Sequence, residues 1–335
     1  MTRAFVCGCS GMALTREERD FLRESEPFGL ILFKRNVETP DQVRSLIESF
    51  RDCLGDADAA VLVDQEGGSV QRLGPPFWRA YPAAARFGAL NLPIERKEKL
   101  VRLTGALIGQ DLRRLGASID CAPVLDVPAQ GSHGVIGDRA YARDPQIVAK
   151  LGRAAALGLI DGGVLPVMKH IPGHGRASVD SHFGLPIIMA PLEVLSETDF
   201  LPFAANADLP IAMTAHVVYT AIDRERPATL SAPVIEYIRN KIGFSGLLLS
   251  DDLSMQALSG SLRDRTEAAF AAGIDIALHC NGDLPEAAAV ATAAPVLAGQ
   301  SLARASGAAE WRSEAASFDP VEAWAEIEAA LAIVA

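Results

Sequence analysis

The stretch Val164–Pro186, VLPVMKHIPGHGRASVDSHFGLP, decides how the rest of the chain is read. It opens as an apolar run, Val164 to Met168, and then turns into Lys169, His170, His174, Arg176, Asp180 and His182, spaced by Pro172, Gly173 and Gly175. An apolar run of strand length that stops at a polar, Gly- and Pro-punctuated segment reads as a buried strand delivering the chain into a loop. Three of the chain's six histidines, His170, His174 and His182, fall in that loop. Loops longer than about 12 residues are usually functional or disordered, and a disordered segment seldom carries such a residue set. A reaction site is expected here.

The same unit recurs on both sides. Toward the N-terminus, strands are expected at Phe5–Gly11, Phe28–Phe33, Ala59–Val63 and Ser118–Leu125, with helices over about 15–25, 39–53, 93–115 and 143–161. Thr15 with Glu18 forms a capping box, and Pro40 suits the first position of its helix. Toward the C-terminus, a helix over 191–206 precedes a strand at Pro210–Thr214, a helix over 233–242, a strand at Gly246–Ser250, a helix over 262–272 and a strand at Asp275–Leu278. Alanine-rich helices complete the chain. Eight strand–helix alternations without a linker-like shift in composition predict an α/β protein, a single (β/α)8 barrel over residues 1–335 with the alanine-rich helices packed on it. In such a barrel the chemistry sits at the C-terminal ends of the strands. Asp64, Asp126, Lys169, His170, His216, Asp251, His279 and Asn281 each end an apolar run, so they are expected around one mouth. An open doubly wound sheet would not normally place polar residues at so many strand ends.

Composition narrows the function. With 49% hydrophobic residues there is ample core material, and a formal net charge of −11 argues against a nucleic-acid surface or an anionic-membrane binder. The five cysteines are an odd, scattered set, mostly within apolar runs, so a disulfide framework is not expected. The start, MTRAFVCGCSGMAL, imitates a signal peptide but has no small-residue cleavage site and runs directly into the Thr15 capping box. It is read as the first strand of a cytoplasmic protein with no nucleic-acid or membrane partner.

Two groups of residues have chemical and bland readings. In LLLSDDLSM, Leu247–Met255, a carboxylate at the end of a buried strand suits a nucleophile for a sugar's anomeric carbon, whereas either acid could simply cap the following turn. Strand alternation lets only one of Asp251 and Asp252 face the barrel axis. In Asp180-Ser-His182 the acid can orient the imidazole, or the three residues can form a solvated Asx turn. Alternation would send one of Lys169 and His170 to the pocket and the other to brace the loop. Arg72 and Arg139 lie where they can grip a substrate, and Asp64 sits beside Gly67 and Gly68, which let a ligand approach the backbone. The histidines also resemble the inventory of a metal-dependent hydrolase, but such barrels begin with an H-x-H pair and the first strand here contains no histidine. No metal is expected.

Taken together, GLILFKRN (29–36), VDQEGGSVQRL (63–73), APVLDV (122–127), IGDRAY (136–141), KHIPGHG with DSH, MTAH, and IRNKIGFSGLLLSDDLSM (238–255) resemble the glycoside hydrolase family 3 N-acetyl-β-glucosaminidases of bacterial cell-wall recycling. The resemblance covers nearly the whole chain. It implies a retaining exo-β-N-acetylglucosaminidase, working on muropeptides without a cofactor and expected to be a monomer. Asp251 would be the nucleophile, His182 the general acid/base oriented by Asp180, and Asp64, Arg72, Arg139, Lys169 and His170 the residues that hold the sugar. The rivals are a phosphorylase, because a histidine in place of a second carboxylate leaves room for an anionic phosphate, and a sugar-binding protein without turnover. Gly173–Gly175 and Gly184 are expected to give the Asp180–His182 loop hinge-like freedom. His279 lies where the family pattern is usually apolar.

Overall fold

A computed structural model describes residues 1–129, 131, 134, 136–177, 184–312 and 316–332. Its centre is a closed barrel of eight parallel strands: β1 (Arg3–Gly8), β2 (Pro27–Leu32), β3 (Ala60–Val63), β4 (Ile119–Asp120), β5 (Leu165–Ile171), β6 (Ile211–Thr214), β7 (Leu247–Asp252) and β8 (Ile276–His279). Neighbours pair in sequence order and β8 closes back on β1, with Phe5 opposite Ala277 and Cys7 opposite His279. Alternation along the strands fills the interior: Val6, Ile31, Leu62, Val167, Met213 and Leu249 point inward into one cluster, while their neighbours pack under the surrounding helices.

The expected capping is present. The Thr15 side chain accepts from Glu18 N and completes a capping box on helix α1 (Arg16–Ser25), and Thr39 caps α2 (Pro40–Leu54) with proline at its start. Helix α3 (Ile94–Leu115) lies against α4 (Pro145–Asp161) across glycines. A Cβ on Gly158 would lie 2.2 Å from the Arg102 carbonyl oxygen, so only glycine permits this approach. The C-terminal helix Pro320–Ala332 packs beside α3: Glu326 pairs with Lys99 at 2.9 Å, and Trp324 meets Tyr81 edge-on with ring centroids 5.8 Å apart.

Five elements differ from the sequence expectation. Strand β4 is short because Pro123 has no N–H to donate, although the chain stays hydrogen-bonded to β5 beyond it, with Lys169 N donating to Pro123 O at 3.0 Å and Leu125 N to Lys169 O at 2.7 Å. The helix expected over 191–206 is two pieces, Leu192–Glu197 and Leu201–Ala204, with Pro202 restarting the second and Asp199 turned inward between them. The helix expected over 233–242 is α-helical only from Ala232 to Tyr237 and ends in a π turn, Ile238–Ile242. Strands β5 and β7 run past Met168 and Ser250 to Ile171 and Asp252, carrying the polar residues on the strands themselves. Among the described residues no helix is long and apolar enough to cross a membrane.

Candidate active site

At the C-terminal end of the barrel, β3 delivers Asp64 and the short hairpin after it delivers Glu66. Lys169 Nζ, on β5, donates to Asp64 Oδ1 at 2.8 Å and lies 2.7 Å from Glu66 Oε1. Arg72 Nη2 donates to the other oxygen of Asp64 at 2.9 Å, and Arg139 forks onto Glu66 with both bonds at 2.8 Å. Arg72, Asp64, Lys169, Glu66 and Arg139 therefore form a chain of alternating charge across the mouth. Lys169 has a side chain only 3% exposed, so the pairing is what keeps its charge. Burial works against that charge, yet Asp64 and Glu66 hold its pKa above the ordinary lysine value. Burial likewise pushes the Asp64 carboxyl up, but Lys169 and Arg72 outweigh it and hold it well below the usual carboxylate range.

The neighbouring strand end supports His170. Asp126, wholly buried, lies with Oδ2 2.6 Å from His170 Nδ1, and its Oδ1 accepts the backbone N–H of His174 at 2.6 Å and that of His170 at 3.3 Å. Burial raises the Asp126 pKa, but His170 and the bonds it accepts leave it below the ordinary value, so it is a carboxylate at neutral pH. Since a carboxylate only accepts, Nδ1 of His170 carries the hydrogen. His174, tilted beside His170 with ring centroids 5.7 Å apart, is driven down to a pKa of about 4 chiefly by burial and is neutral.

Asp251 and Asp252 separate cleanly. Asp252 accepts from Ser254 N at 3.0 Å, Ser254 Oγ at 2.7 Å and Cys280 N at 3.2 Å, which is the capping role. Asp251 accepts one bond, from Asp252 N at 2.8 Å, and has no other partner of that kind among the described residues. Burial raises its pKa, but the nearby His216 and His170 imidazoles and the Asp252 N–H bring it below the ordinary value.

These groups surround one cavity of about 170 Å³. Asp64, Glu66, Arg72, Arg139, Lys169, His170, His174, Asp251 and Asp252 form its polar wall, while Ile31, Met213, Met255 and Leu278 form the apolar one. Phe33 also lines it and lies under the Arg72 guanidinium at 4.8 Å. Of the expected catalytic and sugar-binding residues, Asp64, Arg72, Arg139, Lys169, His170 and Asp251 thus meet here, joined by His174 and Asp252. Alternation failed for Lys169 and His170. Their peptide is cis, the β5–β6 register shifts between Lys169 and Ile171, and both side chains line the cavity.

Asp180 and His182 lie outside the described residues. Asp126 and His216 stand behind the cavity wall. His279 and Asn281 do not belong to the mouth: both turn toward Glu286 at the start of the helix Leu284–Ala293, His279 Nε2 at 3.2 Å. The expected hinge at Gly173–Gly175 is instead packed. A Cβ on Gly175 would lie 2.0 Å from the Val127 carbonyl oxygen, Tyr219 donates to Gly173 O at 2.7 Å, and Arg176 pairs with Asp199 at 2.6 Å. Glu66 escaped the sequence reading. The available signal was its spacing from Asp64, since residues two apart in extended chain share a face. Among the described residues no group of three or more His, Cys, Asp or Glu side chains is placed to hold a metal ion.

Residues 6–304 match the glycosyl hydrolase family 3 N terminal domain. The chain is 40% identical over 283 residues to a beta-hexosaminidase of Methylococcus capsulatus, covering 83% of this chain and 82% of that protein. It is 39% identical over 285 residues to a beta-hexosaminidase of Pseudomonas aeruginosa PAO1, covering 84% and 83%. Among solved structures, native NagZ from Neisseria gonorrhoeae superposes with a TM-score of 0.83 at 30% identity, over 99% of this chain and 97% of that one. The same protein in complex with N-trifluoroacetyl-D-glucosamine gives the same values.

Proposed function

Because the chain belongs to glycosyl hydrolase family 3 and is a glycosidase, we propose that it is a retaining exo-β-N-acetylglucosaminidase that removes non-reducing-end N-acetylglucosamine from muropeptides during cytoplasmic cell-wall recycling. The observation that carries this reading is Asp251: a depressed-pKa carboxylate, at a strand end, facing the same small cavity as the Asp64–Lys169–Glu66 charge chain. The similarity to proteins named beta-hexosaminidase, and to one crystallised with an N-acylated glucosamine, supports the choice of amino sugar.

In this reading Asp251 attacks the anomeric carbon as the bond to the leaving oxygen breaks, and His182 gives that oxygen its proton. Water then attacks the same carbon, His182 takes the water's proton, and the bond to Asp251 breaks with its electron pair returning to the carboxylate. Two displacements give net retention. His182 and its orienting partner Asp180 are assigned on their D-x-H spacing and the family resemblance. A histidine whose pKa lies near neutrality suits proton transfer in both directions. Asp64, Arg72, Arg139, Lys169 and His170 hold the sugar: the carboxylate accepts from its hydroxyls and the cations donate to its oxygens. Their mutual pairing fixes these side chains before substrate arrives.

The test is hydrolysis of an aryl β-N-acetylglucosaminide beside the matching glucoside, with and without inorganic phosphate. Cleavage of the first alone, giving free N-acetylglucosamine with the β-anomer first by proton NMR, is expected. A phosphate-dependent glycosyl phosphate product, an initial α-anomer or no turnover would each overturn the reading. Release of N-acetylglucosamine from the disaccharide with 1,6-anhydro-N-acetylmuramic acid tests the muropeptide assignment.

A further inference from the structure

Asp252, the residue after the proposed nucleophile, has all its polar groups held. Its carboxylate is fixed on Ser254 and Cys280, its N–H donates to Asp251 Oδ1 at 2.8 Å, and its carbonyl oxygen accepts the Met255 N–H at 3.1 Å and lies 2.9 Å from Nε2 of His216. That last contact fixes a tautomer. A carbonyl oxygen only accepts, so Nε2 of His216 carries a hydrogen.

The other ring nitrogen completes the pattern. Nδ1 lies 2.8 Å from Thr229 Oγ1, which in turn lies 2.8 Å from Thr214 Oγ1. His216, Thr214 and Thr229 are all fully buried, which disfavours a charged ring. A neutral imidazole with its hydrogen on Nε2 needs a donor at Nδ1, and the Thr229 hydroxyl supplies one. The Thr214 hydroxyl can then donate to Thr229. The Thr229 hydrogen has two other acceptors within reach, Thr214 Oγ1 at 2.8 Å and Ala215 O at 3.2 Å, but giving it to either would leave Nδ1 of a ring protonated at Nε2 without a donor. The hydrogens thus run in one direction, from the end of β6 through Thr229 and His216 to the carbonyl of Asp252 on β7.

We infer that His216 is a positioning residue for the nucleophile: held by Thr229 as the neutral Nε2–H tautomer, it anchors the Asp252 carbonyl and so the residue whose N–H orients Asp251. His216 does not line the cavity and acts through Asp252. The inference rests on Asp251 being the nucleophile, as proposed above. It implies a division of labour in which the charge chain sets sugar binding and the β6–β7 hydrogen-bond chain sets the direction of attack.

The experiment compares His216→Leu, His216→Gln and Thr229→Val in the full chain. It uses a dinitrophenyl and a methylumbelliferyl β-N-acetylglucosaminide, with N-acetylglucosamine as competitive inhibitor. His216→Leu and Thr229→Val should lower kcat for both substrates by a similar factor, about tenfold or more, while the inhibitor constant stays within about twofold. His216→Gln, whose amide can donate in place of Nε2, should recover most of the loss. Nitrogen NMR of the unaltered protein should show His216 protonated at Nε2 and bare at Nδ1 at neutral pH. The opposite tautomer, a doubly protonated ring, normal kcat in both His216→Leu and Thr229→Val, or weakened inhibitor binding in step with kcat would overturn the inference. Should His216→Leu fail to fold, Thr229→Val and the tautomer measurement decide. Asp251→Ala separates the two levels. If it retains turnover of the dinitrophenyl substrate, the nucleophile assignment fails. If it is inactive while the His216 and Thr229 variants turn over normally, only the positioning role fails.

Discussion

Lys169 Nζ lies 2.7 Å from Glu66 Oε1, so the lysine at the end of β5 is shared between Glu66 and Asp64. Glu66 is the one carboxylate that also receives the fork of Arg139, and removing its charge leaves two buried cations short of a partner. Breaking a buried pair from one side costs about 3–5 kcal/mol. Glu66→Gln should therefore lower stability to denaturant by several kcal/mol and raise KM for the amino sugar. Glu66→Asp, which keeps the charge, should lose less of both. Unchanged stability and KM in Glu66→Gln would remove Glu66 from the binding machinery.

Asp126 should matter through His170. Asp126→Asn keeps the shape but offers a neutral amide to Nδ1 and to the His174 N–H, so His170 loses the partner that fixes its tautomer. Hydrogen bonds to a charged group contribute about 1.5–3 kcal/mol, so kcat/KM should fall roughly tenfold to a hundredfold. A steady-state assay on the aryl substrate checks it, and a silent Asp126→Asn would leave His170 without the support argued here.

The pH dependence of stability has opposing parts: burial depresses His174 and His216, whereas it raises Asp120, Asp111 and Asp199, whose carboxyls bind protons more readily in the folded chain and so add stability as pH falls. His174 has a folded pKa near 4, below its ordinary value of 6.5, so the unfolded chain binds the proton first. Its contribution is present above pH 6.5 and is lost as pH falls toward 4, amounting to roughly 3 kcal/mol. Asp64, Glu66, Asp126 and Asp251 are also depressed, and their contributions disappear only at lower pH, below the ordinary carboxylate values. In denaturant titrations the stability difference between the wild type and His174→Gln should shift by roughly 3 kcal/mol against the wild type as pH falls from 6.5 to 4. A difference between the two that stays level across this range would contradict the assignment.

Proton transfer by His182 predicts a leaving-group signature. General acid catalysis typically contributes 10²–10⁴-fold, so His182→Ala should slow substrates with poor leaving groups by about that factor. Glycosylation with a dinitrophenyl group, which needs no proton, should be nearly unaffected. Asp180→Asn should act as a weaker His182 variant. Equal losses for every leaving group, or a silent Asp180→Asn, would make the loop a binding element.

Much of this was legible in the chain. Strand–helix alternation and the apolar runs gave the barrel, because burial on both faces writes parallel strands as continuous apolar segments. Polar residues ending those runs pointed to Asp64, Lys169, His170 and Asp251. What escaped reading depends on three-dimensional pairing. Pattern reading ends a strand where hydrophobicity ends, but in β5 and β7 the ladder continues because Lys169 and Asp252 find partners across the mouth. Alternation was expected to let only one of Asp251 and Asp252 face the cavity, yet both line it, and the bonds from Ser254 and Cys280 set which of them is held as a cap. His279 looked like a pocket residue from its strand-end position, and only the placement of Glu286 shows it turned to the helix side. Glycines 173 and 175 looked like hinge residues, yet they are there for close packing against Asp199 and Val127.

The central claim is that a sugar bonds to Asp251 during turnover. A slow fluorinated N-acetylglucosaminyl substrate that accumulates the glycosyl-enzyme, followed by proteolysis and mass spectrometry, reads it directly. The account predicts that the added sugar mass is found on the peptide containing Asp251 and disappears in Asp251→Ala. A label on any other residue, or turnover of the wild type with the first product an α-anomer and no labelled peptide, would contradict it.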